Sequence, residues 1–246
     1  MDAKAKELAR YLVERVRDVP HQSRLIVGIA GIPASGKTTL AKLIVDHINV
    51  ILKTEIESAS AERTEAIVIG LDGWHLTRAQ LASLPHPQLA KDRRGAHWTF
   101  DPDSYLEFVR HLRVPLSPSG PVVEPIIAPS FDHAVKDPDP TGVEVYPWHR
   151  IVVIEGLYCF LSIGAWKEAG EMLDERWLTA VDFEKATERI IDRHVASGVA
   201  GSIEEAQWRA RENDMPNGKF LLDNSLEPTR IIESVQDQSP RENDRC

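Results

Sequence analysis

The chain has 246 residues, 42% of them hydrophobic, enough to bury one large core or two small ones. Its net charge is −9 and it carries no lysine/arginine block, which disfavours a nucleic-acid partner, because backbone phosphates need a concentrated positive field. Only Cys159 and Cys246 are present, no apolar run reaches membrane-span length, and the N-terminus mixes acids with bases, so we expect a cytoplasmic protein with neither a disulfide framework nor a membrane partner.

Ala5, Leu8, Ala9, Leu12, Val13 and Val16 recur at helical spacing and predict an amphipathic helix over 3–18, which Pro20 helps to end. "LIVGIA" (25–30) is a short apolar run stopping at Gly31, the pattern of a buried parallel strand. It leads into Gly31-Ile32-Pro33-Ala34-Ser35-Gly36-Lys37-Thr38, which matches the phosphate-cradling pattern G-x-x-x-x-G-K-[ST]. From Thr38, Leu40, Leu43, Ile44, Ile48, Ile51 and Leu52 return to helical period, so the motif stands between a strand and a helix, as it requires.

Residues 53–65 are polar and read as a connecting loop or a frayed helix end. Further strands are expected at 66–71, closed by Asp72; at 151–154, closed by Glu155; at 177–181, ending at Asp182; and at 230–235. Helical patterns fall at 103–113 and 184–196. This alternation predicts an α/β fold, a P-loop NTPase three-layer sandwich with a mostly parallel sheet of about five strands and helices on both faces. The proline- and aspartate-rich segment 114–149 reads as loops and a hairpin laid over the sheet. We expect one domain over 1–236, with an acceptor-side insert at 76–149, a lid at 184–201 and a flexible tail at 237–246.

Ligands of open α/β sheets gather at the carboxyl ends of the strands, and three of the expected strands end in chemistry there. Gly31, Ile32, Pro33, Ala34, Ser35, Gly36, Lys37, Thr38 and Thr39 form the expected nucleotide contact, their backbone N–H groups and the following helix N-terminus facing phosphate. Lys37 supplies a point charge and the Thr38 hydroxyl a ligand for Mg²⁺. Glu155 is either a second magnesium-associated acid or a helix cap. Asp72, in "LDGWH", either accepts the proton of an attacking alcohol or turns the chain as an Asp-Gly pair. Lys185, Arg189 and Arg193 form a basic stripe at i, i+4, i+8. They read either as a phosphate-closing lid with Gly198 and Gly201 as hinge, or as a solvated helix paired Lys185–Glu188 and Arg189–Asp192.

Taken in order, "GIPASGKTTLA", "LDGWHL", "RRGAHWTFDPDSYLEFVRHLR", "PSFDHAVKDP", "IVVIEGLY" and "RIIDRHVASGVAGSIEEAQWRARENDMPNG" resemble the phosphoribulokinase/uridine kinase family of P-loop kinases, in particular its pantothenate-kinase-like and nucleoside or sugar kinase branch. The resemblance spans about 23–235. It implies transfer of the γ-phosphate of ATP to a hydroxyl of a small molecule, with Mg²⁺ as cofactor. Carried over by residue, it makes Asp72 the base, Glu155 the magnesium-associated acid, and Arg189 and Arg193 the lid arginines. It further implies Trp74, His75, Arg93, Arg94, Asp132 and His133 as acceptor-side residues, and Asn213, with Asp214 and Asn217, on the adenine side. Each has a plainer reading: core for Trp74, ordinary polar positions for the histidines, a solvated loop for the arginines, turns for the asparagines. Where many relatives carry Asn-Tyr after the acid-glycine pair, this chain has Leu157-Tyr158, and nucleosides, sugars and vitamin-like acceptors all stay open. Oligomeric state is also open, with a homodimer the form common among related kinases. A GTPase switch would need a late Asn-Lys-x-Asp segment, and none is present. The competing function is a nucleotide-binding regulatory or assembly ATPase, against which Asp72 speaks, since a pure binder needs no base.

Overall fold

A computed structural model describes residues 1–58, 63–116, 124–132 and 134–234. In chain order, α1 (Asp2–Arg17) precedes β1 (Leu25–Gly31), and α2 (Lys37–Ser58) follows the glycine loop. The polar stretch from residue 53 therefore continues the helix as far as Ser58 instead of opening a loop. β2 (Glu65–Gly70) runs into one 3₁₀ turn (Leu71–Trp74). Two short helices, α3 (Arg78–Ala82) and α4 (Pro87–Asp92), begin the insert, and α5 (Pro102–Arg113) follows, started by Asp101, whose carboxylate accepts from the Ser104 N–H.

β3 (Ile126–Asp132) and β4 (Asp137–Val145) form an antiparallel hairpin separate from the main sheet, as the proline-rich composition suggests. β5 (His149–Glu155), α6 (Gly164–Glu171), β6 (Glu175–Ala180), α7 (Phe183–Ala196), α8 (Ile203–Arg209), a π-helical turn (Ala210–Asp214), α9 (Met215–Asp223) and β7 (Arg230–Glu233) complete the described chain. The "ENDMPNG" run is thus helical throughout and not a turn.

The main sheet is parallel, with the order β2-β5-β1-β6-β7. Alternation along a strand sends neighbouring side chains to opposite faces, and the cores obey it. Ile26 and Ala30 of β1, with Val152 and Ile154 of β5, join the core under α5 and α6, while Leu25, Val27, Ile29, Ile151 and Val153 join the core under α1 and α2. Two buried faces explain why these strands read as unbroken apolar runs. The crossovers bring the carboxyl ends of β1, β2 and β5 together. Asp182, at the end of β6, is spent as the cap of α7, accepting from the Glu184 and Lys185 N–H groups. Among the described residues no helix is long and apolar enough to cross a membrane.

Candidate active site

The loop between β1 and α2 takes left-handed backbone at Ala34 (φ 62°) and Gly36 (φ 86°). Glycine does this freely, whereas alanine pays about 1–2 kcal/mol, so the fold must hold Ala34 there. Such alternation is what a backbone N–H nest for an anion requires. The loop is braced from below by a residue that the sequence did not single out. The Thr179 hydroxyl at the end of β6 lies 2.7 Å from the Ser35 hydroxyl and 3.1 Å from the Ala30 carbonyl oxygen. Gly31 makes room for it: a Cβ at position 31 would sit 1.9 Å from Thr179 Oγ1. A threonine inside the expected strand "WLTAV" is the sequence trace of this brace.

Register brings the acids to that loop. Glu155 pairs with Ile29 on one side and Gly70 on the other, and Asp72 follows Gly70 by two residues. The Thr38 hydroxyl, in the first turn of α2, lies 3.1 Å from both carboxylate oxygens of Glu155. Burial pushes the Glu155 carboxyl above its ordinary pKa; the Lys37 ammonium and the Thr38 hydrogen bond work against this, and the Asp72 carboxylate adds to it. Lys37 and Asp72 are therefore each within electrostatic reach of Glu155. Leu71, Gly73 and Trp74 are buried around Asp72, whose own side chain is 56% exposed. A rigid turn thus presents a solvent-facing carboxylate. Among the described residues no cluster of three or more His, Cys, Asp or Glu side chains could hold a metal unaided. A threonine hydroxyl beside a carboxylate at a phosphate loop instead fits Mg²⁺, which takes most of its ligands from phosphates and water.

The expected acceptor-side residues divide. His75 lies beside Asp72, its Nδ1 2.9 Å from the Asp72 carbonyl oxygen and 3.9 Å from the carboxylate, with its ring against Phe100 and Phe131. Trp74 is core: it is 2% exposed and packs on Tyr105 and Phe108. The Asp132 carboxylate is turned to its own hairpin, accepting from the Ala134 and Val135 N–H groups. His133 lies outside the described residues, as does the tail at 237–246. Arg94 clamps the insert to the hairpin, donating to the Lys136 and Leu76 carbonyls and pairing with Asp137. Arg93 instead donates to Asn217 Oδ1 at 3.1 Å. The Asn213 amide donates to the Arg94 carbonyl and its oxygen accepts from Asn217, so this side chain is tied to the insert and to α9.

On α7, the pairs Lys185–Glu188 and Arg189–Asp192 are not made among the described residues. Arg189 reaches across to the phosphate loop, its Nη1 3.5 Å from the Ala34 carbonyl oxygen and 3.3 Å from Ser234 Oγ. Arg193 is exposed, one helical turn further from that contact.

No family model matches the chain. It is 42% identical to the ATP-dependent kinase-like protein notR' of Aspergillus versicolor over 162 residues, 66% of this chain and 92% of that one. It is 32% identical over 216 residues to a protein of Schizosaccharomyces pombe with the provisional name uridine kinase, covering 88% of this chain and 86% of the other. The solved structure of YFH7 from Saccharomyces cerevisiae, provisionally described as a P-loop-containing kinase with a circular permutation, superposes with a TM-score of 0.81. It covers 95% of this chain and 99% of that one at 21% identity, a likeness of fold.

Proposed function

The chain belongs to the uridine kinase/phosphoribulokinase type of P-loop kinases, and we propose that it transfers the γ-phosphate of ATP to a hydroxyl of a small nucleoside, sugar or vitamin-like acceptor. The observation that carries this reading is the meeting of three strand tips: Thr38 on Glu155 at 3.1 Å, with Lys37 and Asp72 in electrostatic reach.

In this reading the loop amides and Lys37 hold the β- and γ-phosphates. Thr38 and Glu155 hold Mg²⁺, which when bound neutralises phosphate charge. The acceptor hydroxyl oxygen bonds to the γ-phosphorus, the bond from that phosphorus to the bridging oxygen of ADP breaks, and the hydroxyl proton ends on the Asp72 carboxylate. Exposure suits Asp72 to this role, since a hydroxyl can approach it from solvent. His75 fixes the turn that carries it through the Asp72 carbonyl. Arg189, already at the loop, and Arg193 after a small movement of α7, add positive charge where the transferring group becomes exposed.

An ATP-consumption screen over nucleosides, sugars and vitamins tests the reading, with Asp72→Asn as the blank. The variant should keep ATP affinity and lose transfer by about 10²–10⁴-fold. Transfer within about tenfold of wild type, roughly 1.4 kcal/mol, would remove Asp72 from the chemistry.

A further inference from the structure

Arg93 and Arg94 are adjacent, yet the fold uses them differently. The backbone between them and Ala96 is pinned from three sides. The Tyr158 hydroxyl donates to the Gly95 carbonyl, the Thr99 hydroxyl accepts from the Gly95 N–H, and the Asn213 amide donates to the Arg94 carbonyl. Gly95 is left-handed (φ 104°), and a Cβ there would face the Asn213 and Asn217 amides at 3.9 and 3.6 Å. This pinned turn sends the two guanidinium groups apart.

Arg94 spends its terminal nitrogens on two carbonyls and the carboxylate of Asp137. Arg93 has a single neutral acceptor, Asn217 Oδ1; its buried Nε, like that of Arg94, has no hydrogen-bond partner, so what sets Arg93 apart is the lack of a carboxylate. No carboxylate lies within ion-pair distance of it among the described residues. A half-buried guanidinium without a counter-anion is costly, because desolvation is not repaid by pairing. Its surroundings place it in the site. Burial pushes the Tyr158 phenol up in pKa, and the nearby Arg93 charge partly offsets that. Gly218, next to the Arg93 partner Asn217, lies against Ile32 and Pro33 of the phosphate loop, where a Cβ would come within 3.1 Å of Ile32.

We propose that Arg93 is an oxyanion receptor of this site, its remaining donors completed by a ligand carboxylate or phosphate. The oxyanion is borne either by the acceptor or by the nucleotide as its terminal phosphate. The identity of these ligands rests on the kinase reading above; the presence of a guanidinium without a counter-anion does not.

The test compares the full chain with Arg93→Gln, Arg93→Lys and Asn217→Asp, the last placing a carboxylate against the guanidinium from within. Each is titrated with ADP, with a non-hydrolysable ATP analogue, and with acceptor-like compounds in matched pairs, a hydroxy acid and its amide, a sugar phosphate and its sugar. ADP affinity should be unchanged in all. Arg93→Gln and Asn217→Asp should lose about ten- to a hundredfold in affinity for one class of anion, the range for a charge-assisted hydrogen bond, and Arg93→Lys should recover part of it. A loss confined to the ATP analogue assigns the receptor to the terminal phosphate; a loss confined to anionic members of the pairs assigns it to the acceptor. Should Arg93→Gln not fold, Asn217→Asp carries the test. Folded variants that stay within twofold of wild type for the ATP analogue and every anionic compound would overturn the proposal. A wild-type chain that binds these compounds but transfers no phosphate sinks the kinase reading and leaves the receptor judged by binding.

Discussion

Two glutamates at opposite ends of the sheet, one buried and one half-buried, show how this fold separates support from chemistry. Glu175 opens β6 at the amino end of the strands and is 7% exposed. Three donors saturate it: the Tyr11 hydroxyl at 2.5 Å, the Thr229 hydroxyl at 2.6 Å and the Trp177 indole N–H at 3.1 Å. Burial pushes its carboxyl up, but the Thr229, Tyr11 and Trp177 hydrogen bonds outweigh that and hold the pKa below the ordinary value. Glu155 closes β5 at the carboxyl end with one hydroxyl partner, Thr38. There burial wins and the pKa rises. A carboxylate satisfied by the protein stabilises it; one left short of donors costs stability and keeps coordination capacity for something else.

The largest effect that can break this contrast is on transfer. Glu155→Gln should lower the transfer rate by about 10²–10³-fold on an acceptor found in the screen, while leaving the ligand-free fold intact. Because the folded pKa is raised, the cost of the native carboxylate grows as pH climbs from the ordinary glutamate range through the raised value. The variant should therefore melt above wild type at pH 7, and the gap should close in acid. A lower Tm at pH 7 would mean that Glu155 is structural. Next in size, Glu175→Gln should cost about 1–3 kcal/mol at pH 7 and leave transfer within twofold. Its sign is opposite: a depressed pKa contributes stability above the ordinary carboxylate range and loses it as pH falls through the lowered value, so wild type and variant should converge in acid denaturation. The smallest test is Tyr11→Phe, which removes one of the three donors and should cost about 1 kcal/mol by chemical denaturation. A larger cost than Glu175→Gln would show that Tyr11 acts through packing on Trp177 instead.

Other neighbours make the same point about range. The charges on α7 offer i, i+3 pairs, but exposed pairs are worth roughly 0–1 kcal/mol, too little to hold Arg189 against contacts with the phosphate loop. "MPNG" carries turn-prone residues, yet its asparagine and glycine pack against the insert and the loop at Ile32, and this contact keeps the segment helical.

What the chain determines by itself is local. A strand buried on both faces must be a continuous apolar run, as β1 and the core of β5 are, and a phosphate loop must carry its glycines and lysine at fixed spacing within one short stretch. These strands, the apolar run of the edge strand β2 and the 31–38 loop are therefore plain in the amino-acid order, with Asp72 and Glu155 at the strand tips. Tertiary structure decides everything that joins distant residues: the strand order, the Thr179 brace 144 residues from Ser35, and the division of labour between Arg93 and Arg94, set by partners 124 and 43 residues away. Side chains of the same type in the same local sequence differ only in what surrounds them, and burial and pairing exist only once the chain has closed on itself.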